Sequence, residues 1–223
     1  MKDFKVVVTT GEDDAEKLLT LLTLFDLVEI RLDLFSADYL ENRLVGFIQN
    51  LKKPVIFTYR LPEDSNQKSV SILSPENIDK ILLQFASPEN YLDIELNRKN
   101  EIFANFINSE YSRIYSYHNF TETLSLQDMQ KEMQKIQNPA AKDIFKFAVM
   151  TKSLEKTAEF LSDIRQLSVS NRVTGICMGE HGVISRIFGD FYGSLLTYCS
   201  AGEERAPGQI SVQTFHSFRS SVA

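Results

Sequence analysis

Asp143-Ile144-Phe145-Lys146-Phe147-Ala148-Val149-Met150 is a short apolar run carrying one lysine at its centre. Its near-continuous hydrophobicity is that of a strand covered on both faces, as in a parallel sheet. Lysine is almost never fully buried unless it is paired or employed, so Lys146, between Phe145 and Phe147, asks for a role as well as a strand.

Working outward, similar runs recur at 4–9, 27–33, 55–60, 91–96, 113–118, 145–150, 173–178 and 195–199. Helical patterns lie between them. Residues 13–23 repeat leucine at helical spacing. Ser74-Pro75-Glu76 sets a cap residue before a proline at the first helical position. Ser125-Leu126-Gln127-Asp128 resembles a capping box with a short acid. Residues 153–167 place Leu154, Ala158, Leu161 and Ile164 near one face, and 209–222 read as the closing helix. Eight strand-then-helix units predict an α/β fold, a (β/α)8 TIM barrel, as a single domain over 1–223. The alternative is an open doubly wound sheet, but no GxGxxG follows the first run, where a dinucleotide-binding fold wants it.

Composition narrows the function classes. The net charge is −6 and no basic run or arm is present, which argues against nucleic acid as a partner. No apolar stretch reaches the roughly 18 residues needed to cross a bilayer, and the first residues read as a strand rather than a signal peptide. The two cysteines, Cys177 and Cys199, form no CxxC motif and read as free thiols of a reducing cytoplasm.

In a barrel, chemistry sits at the C-terminal ends of the strands. Thr9, Glu29, Arg31, Asp33, Arg60, Asp93, Glu95, His118 and Lys146 all fall there, and later loops add Arg186, Arg205 and Gln209. Two strand-like segments, Tyr115-Ser116-Tyr117-His118 and Gly182-Val183-Ile184-Ser185-Arg186, end in an imidazole and a guanidinium. Together with the Lys146 amine they suggest an enzyme that captures a carbonyl as a Schiff base. Asp33, Asp93 and Glu95 can equally be barrel-lining ion pairs. Lys146 can equally snorkel from the mouth or pair with one of those acids.

Seven segments, in order, resemble type I 3-dehydroquinate dehydratase. They are Glu29-Ile30-Arg31-Leu32-Asp33-Leu34-Phe35, Phe57-Thr58-Tyr59-Arg60, Tyr91-Leu92-Asp93-Ile94-Glu95-Leu96, Ser116-Tyr117-His118-Asn119-Phe120, Lys146-Phe147-Ala148-Val149-Met150, Met178-Gly179-Glu180-His181-Gly182-Val183-Ile184-Ser185-Arg186, and Ala206-Pro207-Gly208-Gln209. The resemblance implies dehydration of 3-dehydroquinate to 3-dehydroshikimate in the shikimate pathway, without metal or organic cofactor. In keeping with that, His118, His181 and His216 show no ligand spacing with cysteine or acid. Lys146 matches the Schiff-base lysine and His118 the general base. Glu29, Arg31 and Arg60 match hydroxyl-binding and site-shaping positions, Arg186 the carboxylate-binding arginine, and Gln209 a residue on the closing loop.

Three departures stand out. The acid that orients the histidine falls, by spacing from Arg60, on Asp64 or its neighbour Glu63, and the family's Gly-Gly pair after it is Ser65-Asn66 here. Arg205 replaces a serine, and either adds a second cation for the carboxylate or swings to solvent. The β-hairpin of many bacterial members, which plugs the barrel floor, is missing before the first strand. The resemblance further implies a cytoplasmic homodimer, or a domain of a fusion with shikimate dehydrogenase. Two other readings are a Schiff-base aldolase or transaldolase, which would want a phosphate site after strands seven and eight, and a non-catalytic metabolite-binding barrel.

Overall fold

The computed structural model describes residues 4–61, 75–96, 101–106 and 108–221. Eight parallel strands form one sheet: β1 (Lys5–Thr10), β2 (Leu27–Arg31), β3 (Val55–Thr58), β4 (Tyr91–Glu95), β5 (Ser112–Asn119), β6 (Ile144–Met150), β7 (Val173–Met178) and β8 (Leu196–Ser200). Each pairs with its neighbour in sequence, and β1 also pairs with β8. At the last seam Leu195 N donates to Val173 O at 3.0 Å, and Leu196 N to Thr174 Oγ1 at 3.1 Å. This sequential order is that of a (β/α)8 TIM barrel. It rules out the doubly wound sheet, whose strand order reverses midway.

The helices are α1 (Ala15–Leu18), α2 (Ala37–Asn42), α3 (Leu44–Leu51), α4 (Pro75–Gln84), α5 (Leu126–Gln134), α6 (Leu154–Leu167), α7 (Val183–Phe188) and α8 (Val212–Ser221). Ser125 and Ser153 cap α5 and α6, each hydroxyl accepting from the backbone N–H three residues on. Ser74 lies outside the described residues. Between β4 and β5 the described residues form only a 3-10 segment, Glu101–Phe106. Among the described residues no helix is long and apolar enough to cross a membrane.

Several boundaries differ from the sequence expectation, with local causes. The run at 27–33 leaves the sheet at Arg31 and turns into a 3-10 segment, Leu32–Leu34. The stretch 13–23 breaks into short pieces, and Thr20 Oγ1 takes a carbonyl of the preceding turn, Lys17 O, at 2.7 Å. The closing helix starts at Val212 rather than 209, because the Ser211 hydroxyl accepts from Thr214 N at 3.1 Å and acts as its cap. On α6 the buried stripe is Thr157, Phe160, Leu161, Ile164 and Leu167, while Leu154 and Ala158 are exposed. The segment 182–186 is not a strand: it opens α7.

The sheet divides the core in two. Ile144 and Ala148 face the barrel interior, whereas Phe145, Phe147 and Val149 pack outward with Phe160 and Ile164 of α6. Strand alternation therefore sends Lys146 inward, away from the phenylalanines beside it in sequence.

Candidate active site

The acids of β4 organise one wall. In Leu92-Asp93-Ile94-Glu95 the two carboxylates are two residues apart, so both point inward, and both are buried. Arg60, just past β3, bridges them. Its Nη2 donates to Asp93 Oδ1 at 2.6 Å and its Nη1 to Glu95 Oε2 at 2.7 Å. Ser116 of β5 donates its hydroxyl to the same Asp93 oxygen at 2.5 Å.

Lys146 Nζ donates to the other oxygen, Asp93 Oδ2, at 2.6 Å, and lies 4.5 Å from the centre of the Tyr198 ring of β8. At 3% exposure it does not snorkel out of the mouth. Burial works to raise the Asp93 carboxyl, but Arg60 and Lys146 outweigh it and hold the group well below the usual carboxylate range.

Glu95 holds His118 at two points. His118 N donates to Oε1 at 3.0 Å, and Nδ1 lies 2.7 Å from Oε2. An ionised carboxylate only accepts, so Nδ1 carries a hydrogen and the lone pair of the neutral ring sits on Nε2. Burial pushes His118 below its usual value near 6.5, against the opposing pull of Glu95. Burial likewise works to raise Glu95, yet His118 and Arg60 together lower it.

A second group lies at the ends of β1 and β2. Glu29 accepts from Thr9 Oγ1 at 2.7 Å and from Thr58 Oγ1 at 2.9 Å. Arg31 forks onto Asp33, Nε to Oδ1 at 2.9 Å and Nη2 to Oδ2 at 2.6 Å.

Arg186 arrives on α7 through a tight reversal after β7. A Cβ on Gly182 would lie 2.1 Å from Cys177 O, so only glycine lets the chain turn this closely. Ser185 secures the turn, accepting from Cys177 N at 2.8 Å and donating to Gly182 O at 2.7 Å. Arg186 donates to Tyr198 O at 3.3 Å and Pro207 O at 3.2 Å, and its Nε has no hydrogen-bond partner among the described residues. Among the described residues no carboxylate lies within ion-pair distance of it, and burial lowers its pKa to about 10. The buried thiols Cys177 and Cys199 are each pushed up to about 12 by burial.

The loop between β8 and α8 covers this end. Gly208 has φ +72°, and a Cβ there would sit 2.5 Å from Gly179 O. Gln209 Nε2 reaches Thr9 Oγ1 at 3.4 Å. Arg205 does not swing to solvent: the guanidinium is buried, and it is engaged by Asp13 and Asp14 of the loop after β1.

Lys146, His118, Glu29, Arg31, Arg60, Arg186, Arg205 and Gln209 all line one cavity at the mouth. Asp64 and Glu63 lie outside the described residues. The acid found against Nδ1 is Glu95, and the acid against the amine is Asp93. Their spacing, two inward-facing carboxylates on a strand buried on both faces, was the available signal. Tyr198 escaped the sequence reading, since an aromatic residue in β8 looks like ordinary core.

A (β/α)8 barrel whose mouth gathers a buried lysine, a part-buried histidine and a buried arginine has the architecture of a barrel enzyme. The chain belongs to the type I 3-dehydroquinase family, whose model matches residues 4–221. It is 33% identical to the 3-dehydroquinate dehydratase of Methanothermobacter thermautotrophicus over 187 residues, covering 84% of this chain and 80% of that one. The crystal structure of 3-dehydroquinate dehydratase from Aquifex aeolicus superposes with a TM-score of 0.74 at 27% identity, covering 98% of both chains. The dehydroquinate dehydratase and shikimate dehydrogenase of S. pombe shares the fold, with a TM-score of 0.72 at 18% identity. There the match covers all of this chain and 45% of that one.

Proposed function

We propose that Lys146 is the amine through which this member of the family dehydrates 3-dehydroquinate to 3-dehydroshikimate. Nζ, once neutral, adds to the ring ketone, and loss of water leaves an iminium. That cation is an electron sink for the carbanion formed next to it. His118 Nε2 takes the proton alpha to the iminium and gives an enamine. Collapse of the enamine expels the beta hydroxyl, which leaves as water with the proton returned by His118. Hydrolysis of the conjugated imine frees the product and the amine. No step needs a metal or organic cofactor.

The observation that supports this reading best is the joint placement of Lys146, held by Asp93, and His118, held by Glu95, on one cavity. Glu95 holds the His118 ring at Nδ1, and we assign it an orienting role there; Asp64 and Glu63, the acids expected from the sequence, lie outside the described residues. The substrate carboxylate goes to Arg186, whose buried charge has no carboxylate within ion-pair distance among the described residues. A planar fork suits a carboxylate in a way a lysine does not. Glu29, Arg31, Arg60 and Gln209 take the ring hydroxyls.

Borohydride reduction in the presence of 3-dehydroquinate, followed by peptide mass spectrometry, tests the mechanism. The expected adduct is on Lys146. A label elsewhere, or none while turnover continues, would sink it. The resemblance also supports a cytoplasmic homodimer, and light scattering that returned a monomer mass would refute the dimer.

A further inference from the structure

Arg205 occupies the place of a serine in the family pattern, and its surroundings give it a task of its own. The guanidinium Nη2 meets Asp13 Oδ1, and lies 3.1 Å from Asp14 Oδ2. Asp14 is a firm anchor. It is buried, and its other oxygen accepts from Thr10 Oγ1 at 2.5 Å and Gly11 N at 3.1 Å. The anchor thus belongs to the end of β1. Burial works to lower Arg205's pKa, but the bond to Asp13 and the charges of both acids raise it.

The backbone of Arg205 is tied to the glutamine of the same loop. Arg205 N donates to Gln209 Oε1 at 2.8 Å. Gln209 N is held by Ala206 O at 3.0 Å and Glu204 Oε1 at 3.1 Å. The other end of the Gln209 amide reaches Thr9 Oγ1, which donates to Glu29. A line of contacts therefore runs from Asp13 and Asp14 through Arg205, Gln209 and Thr9 to Glu29. On its other flank the loop is held by Gly179 N donating to Pro207 O at 3.1 Å.

Charge separates the two arginines at this mouth. Arg205 faces two carboxylates, so its charge is compensated within the protein, whereas among the described residues Arg186 has none within ion-pair distance. An anion entering the cavity is drawn to the uncompensated cation.

We propose that Arg205 is a positioning residue: it fastens the loop after β8 to the end of β1, so that Gln209 is set over the mouth before substrate arrives, and it does not bind the substrate carboxylate. The functional consequence rests on the reading above, in which Gln209 and Glu29 contact ring hydroxyls. The fastening itself does not.

Hydrogen exchange on the ligand-free full chain tests the fastening. Arg205→Ser should speed exchange of peptides covering 203–209 about tenfold and Asp13→Asn about threefold, since the contact to Asp14 remains, and the double variant should add little to Arg205→Ser, which already removes both contacts. Asp13 is half exposed, so its variant keeps the test open if Arg205→Ser folds poorly. Steady-state kinetics with 3-dehydroquinate should show both single variants raising KM roughly 5- to 20-fold with kcat within about threefold. Unchanged exchange in both variants overturns the proposal. So does a raised KM in Arg205→Ser with an unchanged or lowered KM in Asp13→Asn, the pattern of a carboxylate-binding cation released from a competitor. If the unaltered chain fails to dehydrate 3-dehydroquinate, the functional reading falls while exchange still judges the fastening.

Discussion

The two sides of the barrel mouth are built on opposite electrostatic plans. On the β4–β6 side, Asp93 and Glu95 face Arg60, Lys146 and His118, and each acid contacts two of those three groups within 2.7 Å. On the β7 side, Arg186 is equally buried, but among the described residues it meets two carbonyl oxygens and no carboxylate at ion-pair distance. A buried charge costs several kcal/mol unless it is paired. The first side meets that cost within the protein and is set before substrate binds. The second leaves it outstanding, and a bound carboxylate would offset it. On the proposed reading, the compensated side positions and reacts, and the uncompensated side recognises.

The largest expected effect breaks the compensated side at its reactive atom. Lys146→Ala should lower kcat about 10⁴-fold or more, yet leave a folded barrel, because Asp93 keeps its pair with Arg60. Residual turnover within a factor of ten of the parent would remove Lys146 from the chemistry. His118→Ala should cost roughly 10² to 10⁴ in kcat while the borohydride adduct on Lys146 still forms. Loss of the adduct as well would show that the histidine is needed for imine formation rather than for proton abstraction alone.

Stability separates the two sides directly. Asp93→Ala strands Lys146 and leaves Arg60 with Glu95 alone, and should destabilise the ligand-free protein by about 3–5 kcal/mol. Arg186→Met removes a charge that has no ion-pair partner among the described residues, so its ligand-free stability should be unchanged or about 1 kcal/mol higher. The same variant should raise KM about 30-fold or more. Denaturant melts of both variants decide the comparison, and equal losses would erase the distinction drawn between the two sides.

How much of this was legible in the sequence depends on the range of the interactions. The barrel was legible because each strand is a local apolar run and each helix a local pattern. The mouth was legible because polar residues stop those runs at the same end. What the local pattern hid was direction. Phe145 and Phe147 looked like the surroundings of Lys146, but alternation places them on the opposite face, and the amine meets Asp93 and Tyr198 instead. The segment 182–186 looked like a strand by composition. The close approach of Gly182 to Cys177, which no local pattern announces, begins a helix there. Arg205 finds Asp13 across 192 residues of sequence, a contact only the closed barrel creates.

The smallest effect sharpens the compensated side most. With the His118 pKa depressed below 6.5 by burial, the acid limb of kcat/KM should fall below pH 6.5, since protonation there consumes the base. Stability follows the same sign. Between the depressed folded value and 6.5 the unfolded chain binds the proton more readily, so this group's contribution is complete above pH 6.5 and fades as the pH falls through the folded value. Glu95 works against the depression, because its carboxylate favours the imidazolium. Glu95→Gln keeps an oxygen that can accept from Nδ1 but removes the charge. It should therefore shift the acid limb further down in pH and lower kcat about tenfold, as a weaker base would. An unshifted limb, measured from kcat/KM across pH 4 to 8, would mean that Glu95 only orients the ring and that the charge it carries serves Arg60 instead.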